Sequence, residues 1–442
     1  MKKYTHAWLA MMAMKRIEKA EIPDKQKDDA KALIKWFKDY RDFVISGSWY
    51  PDSVFKDMSS SHIVKYAEGS KGDNSYFRRM PETLGLYQMG LTSDKKDKPF
   101  RIEKGNLCDR VESFAESLID SFKILDSEAS GEPIVPSCNH IAMRFFILSH
   151  YIADCHMPLH CDARSFAKSN EVHGFIEEQW DKMVKASYLI DEDNNRFFYD
   201  PEGYPLRSDS VSPVIAAVEE ELVKREFVWP WGQDCKNTWD YMSGISQYSY
   251  LMASRLVPED RKPKDITTSY YKKTDAYLNH FDEYTTIILE DAVESIAKVW
   301  LHAWCRYRDW WRGCELARLR ADARSLASEL AATEKIIAEY PDKIAGLEEK
   351  VSVALEKCKE KDAALKIAKE AGRSTKTLES SLASAENSLA KARFKVEEAK
   401  QTLRYAEDSL ADLKALSIAA SLKVTRKAAE YDLPVEEEEE EE

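Results

Sequence analysis

Leu148 to Asp162 reads LSHYIADCHMPLHCD. His150 and Asp154 stand four residues apart, so a helix through them projects both side chains from one face. Pro158 lacks an N–H and its ring clashes with the preceding turn, so it stops or bends that helix. His160 follows Asp154 by six residues, within reach of the same cluster. Further on comes a second pair four apart, His173 and Glu177 in HGFIE. Three imidazoles and two carboxylates thus fall within 28 residues. Nitrogen and oxygen ligands of this kind suit a catalytic zinc, because they leave a position for water. One histidine on an apolar face is more often a buried side chain with a single hydrogen-bond partner. Here five of the nine histidines, at 6, 62, 150, 160 and 173, fall into one pattern, and that coincidence points to metal.

HYIADCHMPLH also resembles the signature of the zinc-dependent phosphodiesterase superfamily, which holds the secreted fungal single-strand nucleases and the bacterial zinc phospholipases C. IAMRFFILSHYIADCHMPLH is similar to that family's central ligand helix and the turn after it, and HGFIEEQWD to the next ligand helix. GSWYPD, Gly47 to Asp52, resembles the loop that supplies a bridging aspartate. YTHAWLAMMAM resembles the first helix with its histidine, and ESIAKVWLHAWCRY the closing helix. The likeness covers residues 1 to 312, strongest at the ligands.

Composition sets bounds. At 442 residues the chain has room for two or three domains and a large core. A net charge of −13 argues against a dedicated nucleic-acid coat, though not against a nuclease in which metal ions meet the phosphate. The eight cysteines are scattered without a CxxC pair, so reduced thiols are expected in place of a disulfide framework. Cys155 and Cys161 flank the ligands and read as packing residues. MKKYTHAWLAMMAM looks like a signal peptide at first, but Lys15, Arg16 and Lys19 follow at once and no small-residue cleavage site appears. Cleavage there would also remove His6. No apolar run reaches the length of a transmembrane span, and a cytoplasmic location is expected.

Apolar spacing predicts a helix over 4–20 with His6 in its first turn, and others over 25–45, 108–126, 139–156, 173–188, 213–228, 235–256 and 266–312. GSWYPD reads as a loop, and 196–213 as a loop with a short hairpin. Almost nothing alternates with the two-residue period of strands, so the expected domain, 1–312, is mostly α and multi-helix; the resemblance implies that it is zinc phosphodiesterase-like. Asp57 is the rival to Asp52 as a ligand.

Beyond Gly313, alanine, leucine, lysine and glutamate dominate. Leu378, Leu382, Ala385, Leu389, Ala392, Val396, Ala399, Leu403, Ala406, Leu410 and Leu413 form a heptad seam. A similar seam begins at Leu316, Leu319, Ala323, Leu326 and Leu330, with Ile344, Leu347 and Val351 after Pro341. Ala371-Gly372-Arg373-Ser374 is the break: Gly fits a position just past a helix end, and Ser374 can cap the next helix. Residues 313–371 and 374–432 are each 59 long, which suggests an antiparallel coiled-coil hairpin of roughly 90 Å at 1.5 Å per residue. A parallel dimeric coil is the rival. The hairpin, 313–433, is expected to mediate homo-oligomers or bind a protein partner. The acidic tail, 434–442, ends in seven glutamates and reads as solvated.

The resemblance implies up to three zinc ions. Asp52, His62, His150 and Asp154 would hold the first, and His160, His173 and Glu177 the second. His6, Asp154 and the amine and carbonyl of Met1 would hold the third. A hydroxide bridging two ions would attack phosphorus, with Asp52 orienting or deprotonating it and Asp154 bridging. Substrate is less legible. An aromatic expected after His62 in nucleases is Ile63 here, and the choline-cage positions of the phospholipases are Ser53 and Ser59. Tyr50, Tyr66, Phe77 and Trp229 or Trp231 are the substitutes, with core packing as their alternative. An intracellular nuclease acting on DNA or RNA is the leading expectation. A phospholipase C cleaving phospholipid headgroups is second, and a coiled-coil assembly protein with a structural zinc domain third.

Overall fold

The first helix, α1 (Lys3–Lys19), is apolar on nearly every side, and Trp8, Leu9, Met11, Met12 and Met14 are all buried. A helix of that kind belongs in the middle of a core. The computed structural model describes residues 1–67, 102–127, 136–164, 172–232, 235–257 and 266–435; Phe77 and the run of glutamates lie outside them. The fold is mostly helical, with two small antiparallel strand pairs among the described residues. The chain divides into two units, Met1–Trp310 and Trp311–Glu442.

In the first unit, α2 (Asp24–Lys38) is amphipathic and a 3-10 turn (Arg41–Phe43) leads into α3 (Val44–Tyr50). The predicted single helix over 25–45 is therefore interrupted at Asp39 and Tyr40. Gly47 to Asp52 is not a loop: α3 continues into a π turn (Pro51–Phe55) that carries Asp52. A second 3-10 turn (Ser59–His62) carries His62. Strand β1 (Lys65–Tyr66) pairs with β2 (Ile102–Lys104), and α4 (Leu107–Asp126) follows.

Helix α5 (Cys138–Cys155) lies at the centre, packed by α1, α3 and α4 and by α9 (Thr238–Leu256). Every residue from Phe145 to Cys155 is buried. Pro158 opens a one-turn helix, α6 (Pro158–Cys161), so the break after α5 re-aims the chain and places His160. Helix α7 (Val172–Ser187) carries the second ligand pair. A small hairpin pairs β3 (Ile190–Asp191) with β4 (Arg196–Phe197), and α8 (Pro213–Lys224) follows.

The one-turn α10 (Thr268–Tyr271) precedes α11 (Asp275–Glu370). Within the first unit, Trp300 of α11 donates its indole N–H to the Phe145 carbonyl at 3.0 Å. Its ring meets Phe37 at 4.7 Å and Phe146 at 6.0 Å. Each such aromatic contributes roughly 1.5–3 kcal/mol by burial.

The predicted helix over 266–312 is split between α10 and α11, and α11 runs on through the predicted arm 313–371 as far as Glu370, with neither Gly313 nor Pro341 ending it. In the second unit α11 packs on α12 (Lys376–Tyr431). Partners run in opposite senses: Lys369 with Glu379, Lys400 with Glu348, Lys414 with Glu334, Tyr431 with Glu315. This antiparallel pairing within one chain replaces the parallel dimeric coil. Leu316, Leu319, Thr333, Ile344, Cys358, Leu365 and Ala368 are buried along α11, and Val396, Ala399, Ala406, Val424 and Ala428 along α12. Cys358 is thus a seam residue. Gly372 has φ +64. It donates to the Lys369 carbonyl while Arg373 donates to that of Ala368, so paired bonds close the helix end. Ser374 does not cap α12; the capping position is Thr375, without a side-chain bond. Among the described residues no helix is long and apolar enough to cross a membrane.

Candidate metal centre

Asp154 is buried at the end of α5 with both carboxylate oxygens occupied. Oδ2 lies 2.9 Å from His62 Nδ1 and 3.2 Å from His150 Nε2. Oδ1 lies 2.9 Å from the Met1 amine, 3.5 Å from His6 Nε2 and 3.6 Å from His160 Nδ1. Asp52 reaches the first group from the π turn, 3.9 Å from His62 Nδ1 and 3.8 Å from His150 Nε2. On α7, His173 Nε2 is 2.9 Å from Glu177 Oε1 and 3.0 Å from His160 Nε2. The Met1 amine is also 2.9 Å from Glu177 Oε1. All nine residues named from the sequence therefore meet in one place.

Three groupings have ligand atoms within 4.8 Å of one another: His6, Asp52 and His150; His62, His150 and Asp154; His160, His173 and Glu177. Two observations bear on whether a cation fits. Ring nitrogens of His62 and His150 approach to 3.1 Å, and those of His160 and His173 to 3.0 Å. Such pairs bring lone pairs together unless a proton or a cation lies between them. Both nitrogens of buried His6, and Nδ1 of His160, have no hydrogen-bond partner, a rare condition for buried polar atoms. These clusters can hold metal ions. Imidazole and carboxylate donors suit zinc and several other divalent transition metals.

The carboxylates of the cluster stay ionised in spite of burial. Burial alone would raise the Asp154 carboxyl, but the Met1 amine, His150 and His160 hold it well below the usual carboxylate range. Glu177 is held low against burial by the same amine and by His160 and His173. Burial lowers the Met1 amine, yet Asp154 and Glu177 outweigh it and push it up to about 11. Burial, aided by His150 and the amine, keeps His6 neutral. Burial also lowers His62, but Asp154, Asp52 and Asp57 outweigh it and raise its affinity for a proton.

Several supporting residues had no signal of their own in the sequence. The Ser48 carbonyl accepts a 2.7 Å bond from His150 Nδ1, which leaves Nε2 for the cluster. Asp181 Oδ1 accepts from the Tyr4 and Thr5 amides at 2.9 and 3.1 Å, anchoring the turn that bears His6. Its position four residues past Glu177 on α7 was the one available hint. Asp57, the rival to Asp52, is committed elsewhere, accepting from Tyr151 at 2.6 Å, from Arg110 at 2.8 Å and from the Met58 amide. His156 is buried but belongs to none of the groupings.

The aromatic substitutes for substrate recognition are mostly packing residues. Tyr66 is buried and hydrogen-bonds Ser246. Trp231 stacks on His302 at 4.2 Å and lies 5.1 Å from Trp229. Tyr50 is half-buried on α3, 6.4 Å from the Phe55 ring. The chain matches no protein-family model and no curated protein.

Proposed function

We propose that the first unit is a zinc-dependent phosphodiesterase whose first substrate class is DNA or RNA. The observation that carries this reading is the shared Asp154 carboxylate, with one oxygen toward His62 and His150 and the other toward Met1, His6 and His160. A carboxylate between two imidazole groups suits neighbouring cations, whereas a structural zinc is usually closed by four ligands. Bound zinc would acidify a water and neutralise the phosphoryl oxygens, the two obstacles to phosphodiester hydrolysis. The chain's own residues divide the remaining work. Ser48 and Asp181 hold the ligand-bearing elements in place. Asp52, a third exposed, is placed to orient a water or accept its proton.

The preference for nucleic acid rests on the likeness of PLH and GSWYPD to the nuclease branch. One observation favours phospholipid as a second reading. Val54, Phe55 and Met58 follow Asp52 and are 58%, 45% and 70% exposed, an apolar turn suited to a lipid surface. The antiparallel hairpin supports a role in assembly, with a second copy or a protein as partner.

The test is to incubate the full chain with single-stranded DNA, RNA and phosphatidylcholine vesicles, with and without a chelator. Chelator-sensitive cleavage of nucleic acid is expected. Cleavage of the lipid alone would select the second reading, and zinc content without hydrolysis of any of the three would leave a structural zinc domain.

A further inference from the structure

Arg110 lies in the first turns of α4, beside two segments that carry ligands. Asp57 is five residues past Asp52, and Tyr151 adjoins His150. Arg110 Nη2 donates to Asp57 Oδ2 at 2.8 Å and to the Tyr151 hydroxyl at 3.3 Å, while that hydroxyl donates to the same carboxylate oxygen at 2.6 Å. The guanidinium lies over the Phe114 ring at 4.7 Å and the Tyr151 ring at 5.2 Å. The Tyr151 ring in turn is 5.4 Å from the ring of His62. The group is held from three sides, one layer from the candidate metal centre.

That hold uses one nitrogen. Nε is buried and bonds nothing, and Nη1 has no acceptor among the described residues. The side chain is 32% exposed, so a ligand can reach it. A brace for Asp57 would need only the Nη2 contact, which a lysine can imitate. Nη1 is left over as a charged donor that an oxyanion can take.

We propose that Arg110 binds a nonbridging oxygen of the substrate phosphate, steadying the charge that grows there as the diester is attacked. The inference rests on the phosphodiesterase reading for the identity of the substrate. The oxyanion chemistry is common to nucleic acid and phospholipid.

The test uses the zinc-loaded full chain and two readouts. Inorganic phosphate binding is measured by calorimetry, and kcat and KM are measured on bis(p-nitrophenyl) phosphate. Arg110→Gln is expected to weaken phosphate binding about 10-fold or more and to lower kcat/KM about 100-fold, with zinc content unchanged. Arg110→Lys, which keeps the charge but has no second nitrogen to spare beyond the one facing Asp57, is expected to recover part of the binding. If Arg110→Gln does not fold, the lysine variant decides: weaker phosphate binding with zinc retained supports the proposal, and native affinity overturns it. Unchanged phosphate affinity in a folded Arg110→Gln also overturns it, as does loss of zinc in step with loss of binding, which would make Arg110 a brace. Absence of phosphate binding in the parent chain overturns it too. Phosphate binding that depends on Arg110 in a chain that turns over no diester would sink the hydrolase reading and the transition-state role with it, and leave Arg110 as an oxyanion-binding residue only.

Discussion

The backbone carbonyl of Ser48 receives the Nδ1–H of His150 at 2.7 Å, and the neighbouring Gly47 is what lets α3 come that close to α5. A Cβ at residue 47 would stand 2.6 Å from Phe146 Cβ and 2.7 Å from Met143 Sδ. Gly47→Ala must therefore push the helices apart. It is expected to cost about 1–3 kcal/mol of stability and to weaken zinc binding roughly 10-fold or more. Thermal melting and competition with a chromogenic chelator would check both. Native zinc affinity in a destabilised variant would show that the carbonyl does not orient His150.

Asp154→Asn tests the centre of the cluster. An amide carries no charge and turns a donor toward groups that now face an acceptor. Zinc content is expected to fall by at least one ion and hydrolysis by about 1,000-fold or more. His156→Ala, two residues on, is expected to keep zinc and rate while losing some stability from its buried site. Equal loss in both variants, with zinc retained in both, would rule out the assignment of Asp154.

The Met1 amine is buried between Asp154 and Glu177. A few residues added before Met1 would convert that amine to an amide and leave no room for it. The extended chain, compared with one tagged at its C-terminus, is expected to bind one zinc fewer and lose most hydrolysis. Full zinc stoichiometry by plasma emission, with an unchanged rate, would remove Met1 from the ligand set.

His302 on α11 gives a pH signature away from the cluster. Its ring lies against Trp231, and burial, with Arg306 nearby, lowers its pKa to about 3. The unfolded chain takes up this proton near the ordinary value of roughly 6.5, while the folded chain resists until about 3. Folding stability contributed by neutral His302 is therefore complete above pH 6.5 and is lost as pH falls from there toward 3. His302→Phe is expected to lose about 2 kcal/mol less than the parent between pH 7 and pH 4.5. Parallel melting curves for the two proteins across that range would contradict it.

Local spacing carried much of this protein in its sequence. The pairs His150/Asp154 and His173/Glu177 are four apart on α5 and α7, and a helix alone puts each pair on one face. The heptad seam and Gly372 likewise suggested a helical hairpin, since the repeat and a left-handed turn are properties of short segments, while the choice against a parallel dimeric coil came from the pairing of α11 with α12. What tertiary structure decided lies between segments. Gly47 to Asp52 reads as a loop until α3 packs on α5, where burial of Val44 and Ile45 stabilises a helix that Gly and Pro disfavour. Spacing alone leaves Asp57 as a rival to Asp52; Arg110 and Tyr151 separate them by engaging Asp57. Pro341 looks like a stop, yet α11 continues because residues on both sides of it remain on one buried seam, and that burial outweighs one missing backbone hydrogen bond. The division of Asp154 between its two oxygens depends on four imidazoles brought from α1, α5, α6 and the turn before β1, and on the amine of Met1. No local rule specifies that arrangement, because it exists only once those elements share a core.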